Sequence, residues 1–136
     1  MLSECLVTTI LQVSEASPAV EFYRDRLGLD HVGRNGEGQE IFALGGGSSL
    51  ALVPGSEATP TGRTELSFEV SDIAAQIRDL GRRGVIFADY DLPGLRTVDH
   101  VCLLGSQKAA WFEDPDGNVL CLHEQLPAAA SSGPRA

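Results

Sequence analysis

Two short stretches of the chain alternate strictly between polar and apolar residues, which is the pattern of a half-buried β-strand. Because alternate side chains of a strand share a face, the polar members of each stretch lie side by side. They are Glu65, Ser67 and Glu69 in one stretch, and Cys121 and His123 in the other. Carboxylates can hold a cation or act as general bases, and a thiol or an imidazole can act as a nucleophile, a base or a metal ligand.

These residue types admit three interpretations. Cys121, His123 and Glu65 could bind zinc, with His100 and Glu69 as further donors that turn inward. Cys121 could instead be a nucleophile with His100 or His123 as its base. The third interpretation is structural: Cys121 is a small buried residue, His123 lies at the rim of the sheet, and the two glutamates are surface charges.

Trp111 is the only tryptophan of the chain and lies in an apolar run. Its ring could stack on a flat ligand, and its π face would attract a cationic one. Packing in the core is the alternative role. The chain has no nucleophile elbow, no phosphate loop and no Gly-x-Gly-x-x-Gly motif after a strand, so these kinds of chemistry are not indicated.

Composition and charge exclude several partners. The chain has 136 residues and a formal net charge of −9 without a basic cluster, so nucleic acids and anionic membranes are poor partners. No apolar run approaches the length of about 20 residues that spans a membrane, and the N-terminus lacks the pattern of a signal peptide. The three cysteines are an odd number within apolar patterns, which predicts free thiols in a cytoplasmic protein.

A turn sequence separates the last two apolar stretches of the chain. Pro115 presets the first corner of a turn, and Asp116 tolerates the second. Gly117 and Asn118 accept a left-handed backbone conformation. The sequence therefore predicts a β-hairpin, with one strand ending near Glu113 and another starting near Asn118.

The first predicted helix opens at Ser17-Pro18, because serine is a good N-cap and proline fits the first helical position. Its buried stripe would be Val20, Tyr23 and Leu27. Gly28 would supply the left-handed stop.

The second predicted helix takes Ser71 as its N-cap and ends near Gly84. Its apolar face would consist of Ile73, Ile77 and Leu80. This spacing is typical of one side of an amphipathic helix.

Strand patterns fill much of the remaining sequence. The predicted strands cover residues 6–13, 30–34, 40–44, 49–53 and 65–70. Glycine-rich turns punctuate several of them. A further strand-like run covers residues 96–104 and would place His100 and Cys102 on one face.

The chain repeats its own pattern. Val13-Ser14-Glu15 and Val70-Ser71-Asp72 match at an offset of 57 residues. The same offset aligns Thr8 with Glu65, and Gln12 with Glu69. Each half contains a strand, a helix and then three or more strands. The expected organisation is one domain over 1–126, made of module one at about 5–54, a linker at 55–63 and module two at 64–125, with a flexible tail at 127–136.

Two motifs carry a resemblance to a known family. Phe112, followed by Asp114-Pro115-Asp116-Gly117-Asn118 and a strand, is similar to the last hairpin of the vicinal oxygen chelate superfamily. The runs Phe22-Tyr23 and Leu27-Gly28 are similar to that superfamily's first helix. Its members include glyoxalase I, extradiol dioxygenases, fosfomycin-resistance thiol transferases and bleomycin-resistance proteins. The resemblance implies an α+β fold of two βαβββ modules, whose curled mixed sheets surround a cleft with the helices outside.

In metal-using members of that superfamily, the ligands occupy symmetry-related strand positions that face the cleft. Matched residue by residue, these positions hold Thr8, Glu65 and Cys121, and the fourth falls near Leu50–Leu52. Only Glu65 is a good ligand for a hard divalent ion, since threonine binds metals poorly and a thiolate prefers softer ions. The resemblance therefore implies a member without a metal or other cofactor.

The function implied is that of a metal-free binding module similar to the bleomycin-resistance proteins, which confers resistance by sequestering an antibiotic or natural product. The expected ligand is a planar or extended aromatic compound that can carry a positive charge. Its predicted contacts are Thr8, Gln12, Glu65, Ser67, Glu69, Trp111, Cys121 and His123. A homodimer is also expected, because open sheets expose strand edges that pairing would cover.

The alternative function is that of an enzyme of the same superfamily, namely a lyase, isomerase, epimerase or dioxygenase. Such an enzyme would use a metal through unusual ligands, or acid–base chemistry without one. Glu65 would then be the base, with His123 or His100 as its partner.

Overall fold

The two matching halves of the sequence build two four-stranded sheets with the same strand order. A computed structural model of the chain describes residues 1–55 and 60–127. The strands are β1 (Thr8–Gln12), β2 (Asp30–Arg34), β3 (Glu40–Ala43), β4 (Ser49–Val53), β5 (Thr64–Glu69), β6 (Asp91–Leu92), β7 (Leu95–Arg96), β8 (Cys102–Leu104), β9 (Gln107–Glu113) and β10 (Val119–Gln125). The helices are α1 (Ala16–Val20), continued by a π-helical segment (Glu21–Arg26), and α2 (Ile73–Arg82). Short 3₁₀ turns cover Leu2–Glu4 and Gly45–Gly47.

Each sheet is mixed in the same way. The strand orders are β1-β4-β3-β2 and β5-β10-β9-β8. In both sheets the first strand in the chain pairs in parallel with the last, and the remaining neighbours are antiparallel. The second half also contains the β6–β7 hairpin, which forms a small sheet of its own. The predicted α+β fold of two βαβββ modules is therefore confirmed.

The contacts between Cα atoms divide the chain into two units. The first unit is Met1–Arg63 together with Asp114–Asn118, and the second is Thr64–Glu113 together with the chain from Val119 onward. The turn that joins β9 to β10 thus belongs to the first unit. Residues 56–59 of the predicted linker and 128–136 of the predicted tail lie outside the described residues. In the described ranges, no helix is long and apolar enough to cross a membrane.

The helix of the first unit departs from its prediction at both ends. It begins at Ala16 with Glu15 in the N-cap position, so Ser17 lies inside the first turn rather than capping it. From Glu21 the hydrogen bonds span five residues, as in the bond from the Leu27 N–H to the Phe22 carbonyl. This wider turn rotates the following side chains relative to an α-helix.

The buried face of that helix also differs from the prediction. Ala19, Phe22 and Tyr23 are buried, whereas Val20 and Leu27 are only half-buried. The predicted stripe of Val20, Tyr23 and Leu27 is therefore wrong at two of its three positions. Around Tyr23 the core of the first unit is formed by Leu11, Val13, Phe42, Leu50 and Leu52.

One buried carboxylate organises the turn that closes the first unit. Asp114 Oδ2 accepts hydrogen bonds from the Tyr23 hydroxyl at 2.6 Å and from the Asn118 side-chain amide at 2.8 Å. Asp114 Oδ1 accepts the backbone N–H groups of Asp116 and Asn118, both at 2.9 Å. Gly117 has a φ of 85°, the left-handed conformation that its position in the turn requires. The predicted left-handed conformation is therefore confirmed at Gly117 but not at Asn118, which instead donates its backbone N–H and its side-chain amide to Asp114.

The same turn is tied to β1 and to the start of α1. The Asn118 side-chain amide also donates to the Gln12 carbonyl at 3.1 Å. Asp116 Oδ1 accepts the Ser14 hydroxyl at 2.6 Å and the Ser14 backbone N–H at 3.1 Å. Burial and the neighbouring Asp114 carboxylate raise the pKa of Tyr23 far above its usual range, so this phenol remains a neutral donor.

The second helix also has a different cap from the predicted one. Asp72, not Ser71, is the N-cap, and its side chain accepts the Ala75 N–H at 3.1 Å. Glu124 Oε1 accepts a second free N–H, that of Ile73, at 2.8 Å. Both residues satisfy donors that the first helical turn leaves unpaired. The sequence offers two adjacent capping residues, and Asp72 is the one that directly precedes the helix.

The predicted strand at residues 96–104 is wrong. Leu95–Arg96 pairs with Asp91–Leu92 in a hairpin, and the chain then reverses again between Val98 and Val101. Asp99 and His100, between those two valines, have φ values of 50° and 72°. Two consecutive left-handed residues are typical of the tight turn that matches the twist of a hairpin. His100 therefore lies on a turn and does not share a strand face with Cys102.

A second buried carboxylate lies in the first sheet. The Glu40 side chain is only 5% exposed and accepts hydrogen bonds from His31 Nε2 and Arg34 Nε, both at 2.8 Å. Burial alone would raise the pKa of Glu40, but the bonds from Arg34 and His31 outweigh it and lower that pKa. The ionised form is therefore the one that the fold stabilises.

Replacing the Asp114 acceptor should destabilise the protein strongly. In Asp114→Ala the buried Tyr23 hydroxyl and Asn118 amide lose their acceptor, which should cost about 3 kcal/mol or more. Urea unfolding at neutral pH measures the loss. The exposed neighbour Glu113 provides the control, and Glu113→Ala should stay within about 0.5 kcal/mol of wild type. A loss below about 1 kcal/mol for Asp114→Ala would contradict the role given to this carboxylate.

The contribution of Glu40 should depend on pH in one direction. Because its pKa is lowered in the folded state, its stabilising effect is present above the unfolded pKa and is lost as the pH falls through the folded one. The free energy of unfolding of wild type should therefore exceed that of Glu40→Gln by about 1 kcal/mol near pH 7, and the two values should converge in acid. Urea unfolding across this pH range gives the difference. A difference that does not change with pH would rule out the ionised pair as its source.

Candidate functional site

The polar residues predicted on β5 and β10 lie together on one face of the second sheet. β10 is central, with β5 on one side and β9 on the other. Cys121 pairs with Ser67 on β5 and with Trp111 on β9, and His123 pairs with Glu69. Paired residues of neighbouring strands point to the same side of a sheet. The opposite face carries Leu120 and Leu122, which are buried.

Three side chains of this face form a continuous chain of contacts. Ser67 Oγ lies 2.6 Å from His123 Nδ1, a hydrogen bond, and His123 Nε2 lies 3.6 Å from Glu69 Oε1. The imidazole thus stands between a hydroxyl and a carboxylate. If Nε2 carries the proton, Nδ1 is the acceptor for the Ser67 hydroxyl. Such a group can bind a polar ligand or move a proton.

Cys121 is a buried, neutral thiol on the same face. Burial raises the pKa of Cys121, while hydrogen bonding to the Ser67 hydroxyl and to the backbone of Ala110 lowers it by less. Its sulfur also lies 3.2 Å from the carbonyl oxygen of Leu122. The thiolate, not the thiol, is the nucleophile and the metal ligand. The geometry therefore disfavours the nucleophile and zinc interpretations of Cys121.

Trp111 packs on a neighbouring aromatic ring and stays partly exposed. Its ring packs edge-to-face against Tyr90, with 5.7 Å between ring centroids, and its side chain is half-buried. Tyr90 was not predicted as part of this region, because it belongs to the segment before β6, which has no clear periodicity. One part of the indole is thus held by packing, and the rest is accessible.

The remaining predicted residues occupy other positions. Glu65 is half-buried at a β-bulge, where the pairing of β5 with β10 shifts by one residue. Thr8 and Gln12 belong to β1 of the first unit and are both exposed. The Thr8 hydroxyl lies 2.9 Å from that of Ser49. His100 Nδ1 lies 3.0 Å from Asp89 Oδ1, so its partner is an aspartate that the sequence did not indicate.

The residues at the positions that hold metal ligands in the vicinal oxygen chelate superfamily do not fit a metal ion in this chain. Over residues 1–55 and 60–127, no three His, Cys, Asp or Glu side chains are grouped to hold an ion. The Thr8 hydroxyl is bonded to Ser49, the Cys121 thiol is neutral, and Leu50 and Leu52 are fully buried apolar residues. The suggested zinc set of Cys121, His123 and Glu65 is likewise not assembled, since both His123 nitrogens face Ser67 and Glu69.

The raised pKa of Cys121 has a direct chemical consequence. At pH 8 a smaller fraction of Cys121 is thiolate than for an ordinary cysteine, so iodoacetamide should modify it at least about tenfold more slowly than the exposed Cys5. Peptide mapping by mass spectrometry after timed quenching measures both rates. In urea the difference should vanish. Equal rates in the native protein would instead indicate an activated nucleophile.

Comparisons with known proteins concern the family and the fold of the chain. The family model described as Glyoxalase/Bleomycin resistance protein/Dioxygenase superfamily matches residues 6–122. A comparison with curated proteins gives no match. Among solved structures, a member of that superfamily from Sphaerobacter thermophilus DSM 20745 is 25% identical with a TM-score of 0.71, covering 92% of this chain and 100% of the other.

Two similar structures come from Streptomyces sp. CB03234. TnmS3, an antibiotic binding protein, is 25% identical with a TM-score of 0.59, covering 87% of this chain and 94% of the other. A glyoxalase/bleomycin resistance protein is 26% identical with a TM-score of 0.64, and the match covers 87% of this chain and 98% of the other.

Proposed function

Because the chain belongs to the glyoxalase/bleomycin resistance protein/dioxygenase superfamily, we propose that it binds an antibiotic or natural product without a metal and confers resistance by sequestration. One observation carries the proposal. The scaffold of the superfamily is retained, whereas Thr8, Cys121 and the segment Leu50–Leu52 offer no set of metal donors. Selection for binding alone would keep the scaffold and lose the metal ligands.

The similarity to TnmS3 supports the class of ligand. TnmS3 is an antibiotic binding protein that shares 25% of its residues with this chain over most of both chains. An identity at this level is compatible with a related ligand class and with a different compound. We therefore propose the class of compound and not a particular member.

The exposed face of the second sheet supplies suitable ligand contacts. The Glu69 carboxylate can attract a cationic group, and Ser67 and His123 can form hydrogen bonds. Trp111, braced by Tyr90, offers an aromatic edge or face for a planar ligand. Glu65 adds a half-buried carboxylate, and for the buried Cys121 a contact with the ligand stays a prediction. For Thr8 and Gln12, on β1, a role in binding stays a prediction, as do the homodimer and the cytoplasmic location.

An enzyme that uses acid–base chemistry is the second candidate function. The observation that favours it is the chain of contacts from Ser67 through His123 to Glu69. A carboxylate beside an imidazole can hold the ring in one orientation, which a general base requires. The predicted base was Glu65, but Glu69 is the carboxylate that faces His123.

Titration of candidate antibiotics tests the binding proposal. Bleomycins, mitomycins and enediynes should be added while the fluorescence of Trp111, the only tryptophan, is recorded. For a hit, Glu69→Gln and Trp111→Phe should each weaken binding by about tenfold, since one charge-assisted bond or stacking contact is lost. Calorimetry measures these variants, because Trp111→Phe removes the fluorophore. Glu37→Gln, an exposed acid on the β2–β3 loop, is the matched control and should bind like wild type.

The same titration separates the two candidate functions. Mass spectrometry of each compound after prolonged incubation should recover it unchanged if the protein sequesters it. Conversion that is lost in His123→Gln would establish the enzyme instead. A hit that binds equally well to Glu69→Gln and Trp111→Phe would place the site away from this sheet face.

A further inference from the structure

The segment between α2 and β8 builds a groove that the proposed function does not use. After the β6–β7 hairpin the chain reverses at Asp99–His100, and β7 contacts β8. The resulting space, here called the hairpin groove, has a volume of about 590 Å³. Pockets for small molecules are usually about 300–1,000 Å³. The residues that shape it include Leu92, Leu95, Arg96, Val98, Leu103 and Lys108.

The walls of the hairpin groove are apolar and accessible. Leu92 is 54% exposed, Val98 is 70% exposed and Leu103 is 67% exposed. Single exposed apolar residues are ordinary, but here three of them line one concave surface. Covering these side chains with an apolar ligand removes them from water, which is favourable.

The charged residues of the groove are both cations. Among the described residues that line it, Arg96 and Lys108 carry charge and none is acidic, although the chain has a net charge of −9. Arg96 Nε is paired at 3.0 Å with Asp91 Oδ1, and both side chains are strongly exposed. Lys108 has no ion-pair partner in the described part of the chain. Its cross-strand neighbour Glu124 instead accepts the Ile73 N–H at the start of α2.

We propose that the hairpin groove binds a small amphipathic anion, namely an aromatic or aliphatic carboxylate or sulfonate. The apolar body of this ligand covers Leu92, Val98 and Leu103, and its acidic group faces Lys108 and Arg96. This charge preference is opposite to that of the sheet face that carries Glu69. The groove is therefore a second site with its own ligand class, and it does not depend on the proposed antibiotic binding.

The charges also favour a small anion over a second copy of the chain. In a symmetric dimer formed through this groove, the same patch would meet itself. The interface would then contain the Arg96 and Lys108 cations of both copies, and no acidic residue is among the described residues that line the groove. A small anion of complementary charge has no such cost.

A pair of matched dyes tests the proposal on the full-length protein. Anilinonaphthalene sulfonate is apolar and anionic, and phenylnaphthylamine has nearly the same rings without the charge. The sulfonate should bind once per chain, more tightly than the neutral dye, and more weakly at high salt. Lys108→Met should weaken binding of the sulfonate by about three- to tenfold and leave binding of the neutral dye unchanged. Lys108→Arg should retain binding, and Arg78→Met, an exposed cation on α2, should have no effect.

Two results would overturn the proposal. One is that both dyes bind with equal affinity and that Lys108→Met does not change the affinity for the sulfonate. Circular dichroism must confirm that this variant is folded. The other is a wild-type dimer in sedimentation experiments that Leu103→Glu dissociates, since this would assign the groove to a second copy. Antibiotic binding at the sheet face is measured separately from dye binding in the hairpin groove. The absence of binding at one site therefore does not decide whether the other site exists.

Discussion

The hydrogen bonds to the buried Asp114 carboxylate are the constraint on which the arrangement around β9 and β10 depends. Its two oxygens accept four bonds, from the Tyr23 hydroxyl, the Asn118 amide and two backbone N–H groups of the turn. A buried carboxylate is costly unless it is fully bonded, so these partners are required together. They fix the point at which β9 ends and β10 begins. The positions of Cys121 and His123 along β10 follow from that point by strand alternation.

The motifs by which the chain resembles its superfamily thus have a structural explanation. Asp114, Gly117 and Asn118 build the turn, and Tyr23 supplies the donor from the helical region of the first unit. The hydrogen bonds that Asp114 accepts come from Tyr23, Asp116 and Asn118 and not from the proposed ligand contacts on β5 and β10. The scaffold can therefore persist while the residues of the sheet face change.

The elements that the sequence predicted well are those with strong local punctuation. The strands at residues 30–34 and 49–53 agree with β2 and β4, because glycine-rich turns bound them. The predictions were wrong where the local pattern is compatible with more than one structure. Asp72 caps α2 in place of Ser71, and the π-helical segment rotates the buried face of the first helix. The run at 96–104 has strand-like composition, but two left-handed residues break it.

The candidate site was predictable only as a set of residues that share a face. Alternation alone groups Ser67 with Glu69 and Cys121 with His123. The bond from Ser67 to His123 also requires the register of β5 against β10, which includes a bulge beside Val119. The hydrophobic pattern fixes which face of each strand is buried, but here it does not reveal the bulge that sets which residues of β5 and β10 pair. The packing of Tyr90 on Trp111 was not predicted, because Tyr90 belongs to the segment before β6, which has no clear periodicity.

The metal content of the protein tests the central claim most directly, because the claim is that this superfamily scaffold works here without an ion. Protein expressed in medium with iron, manganese, nickel and zinc, and purified without chelator, should be analysed for each element. The donor set at Thr8, Leu50–Leu52, Glu65 and Cys121 predicts metal far below one equivalent per chain. One tightly held divalent ion per chain, retained through gel filtration and lost in Glu65→Gln, would contradict it.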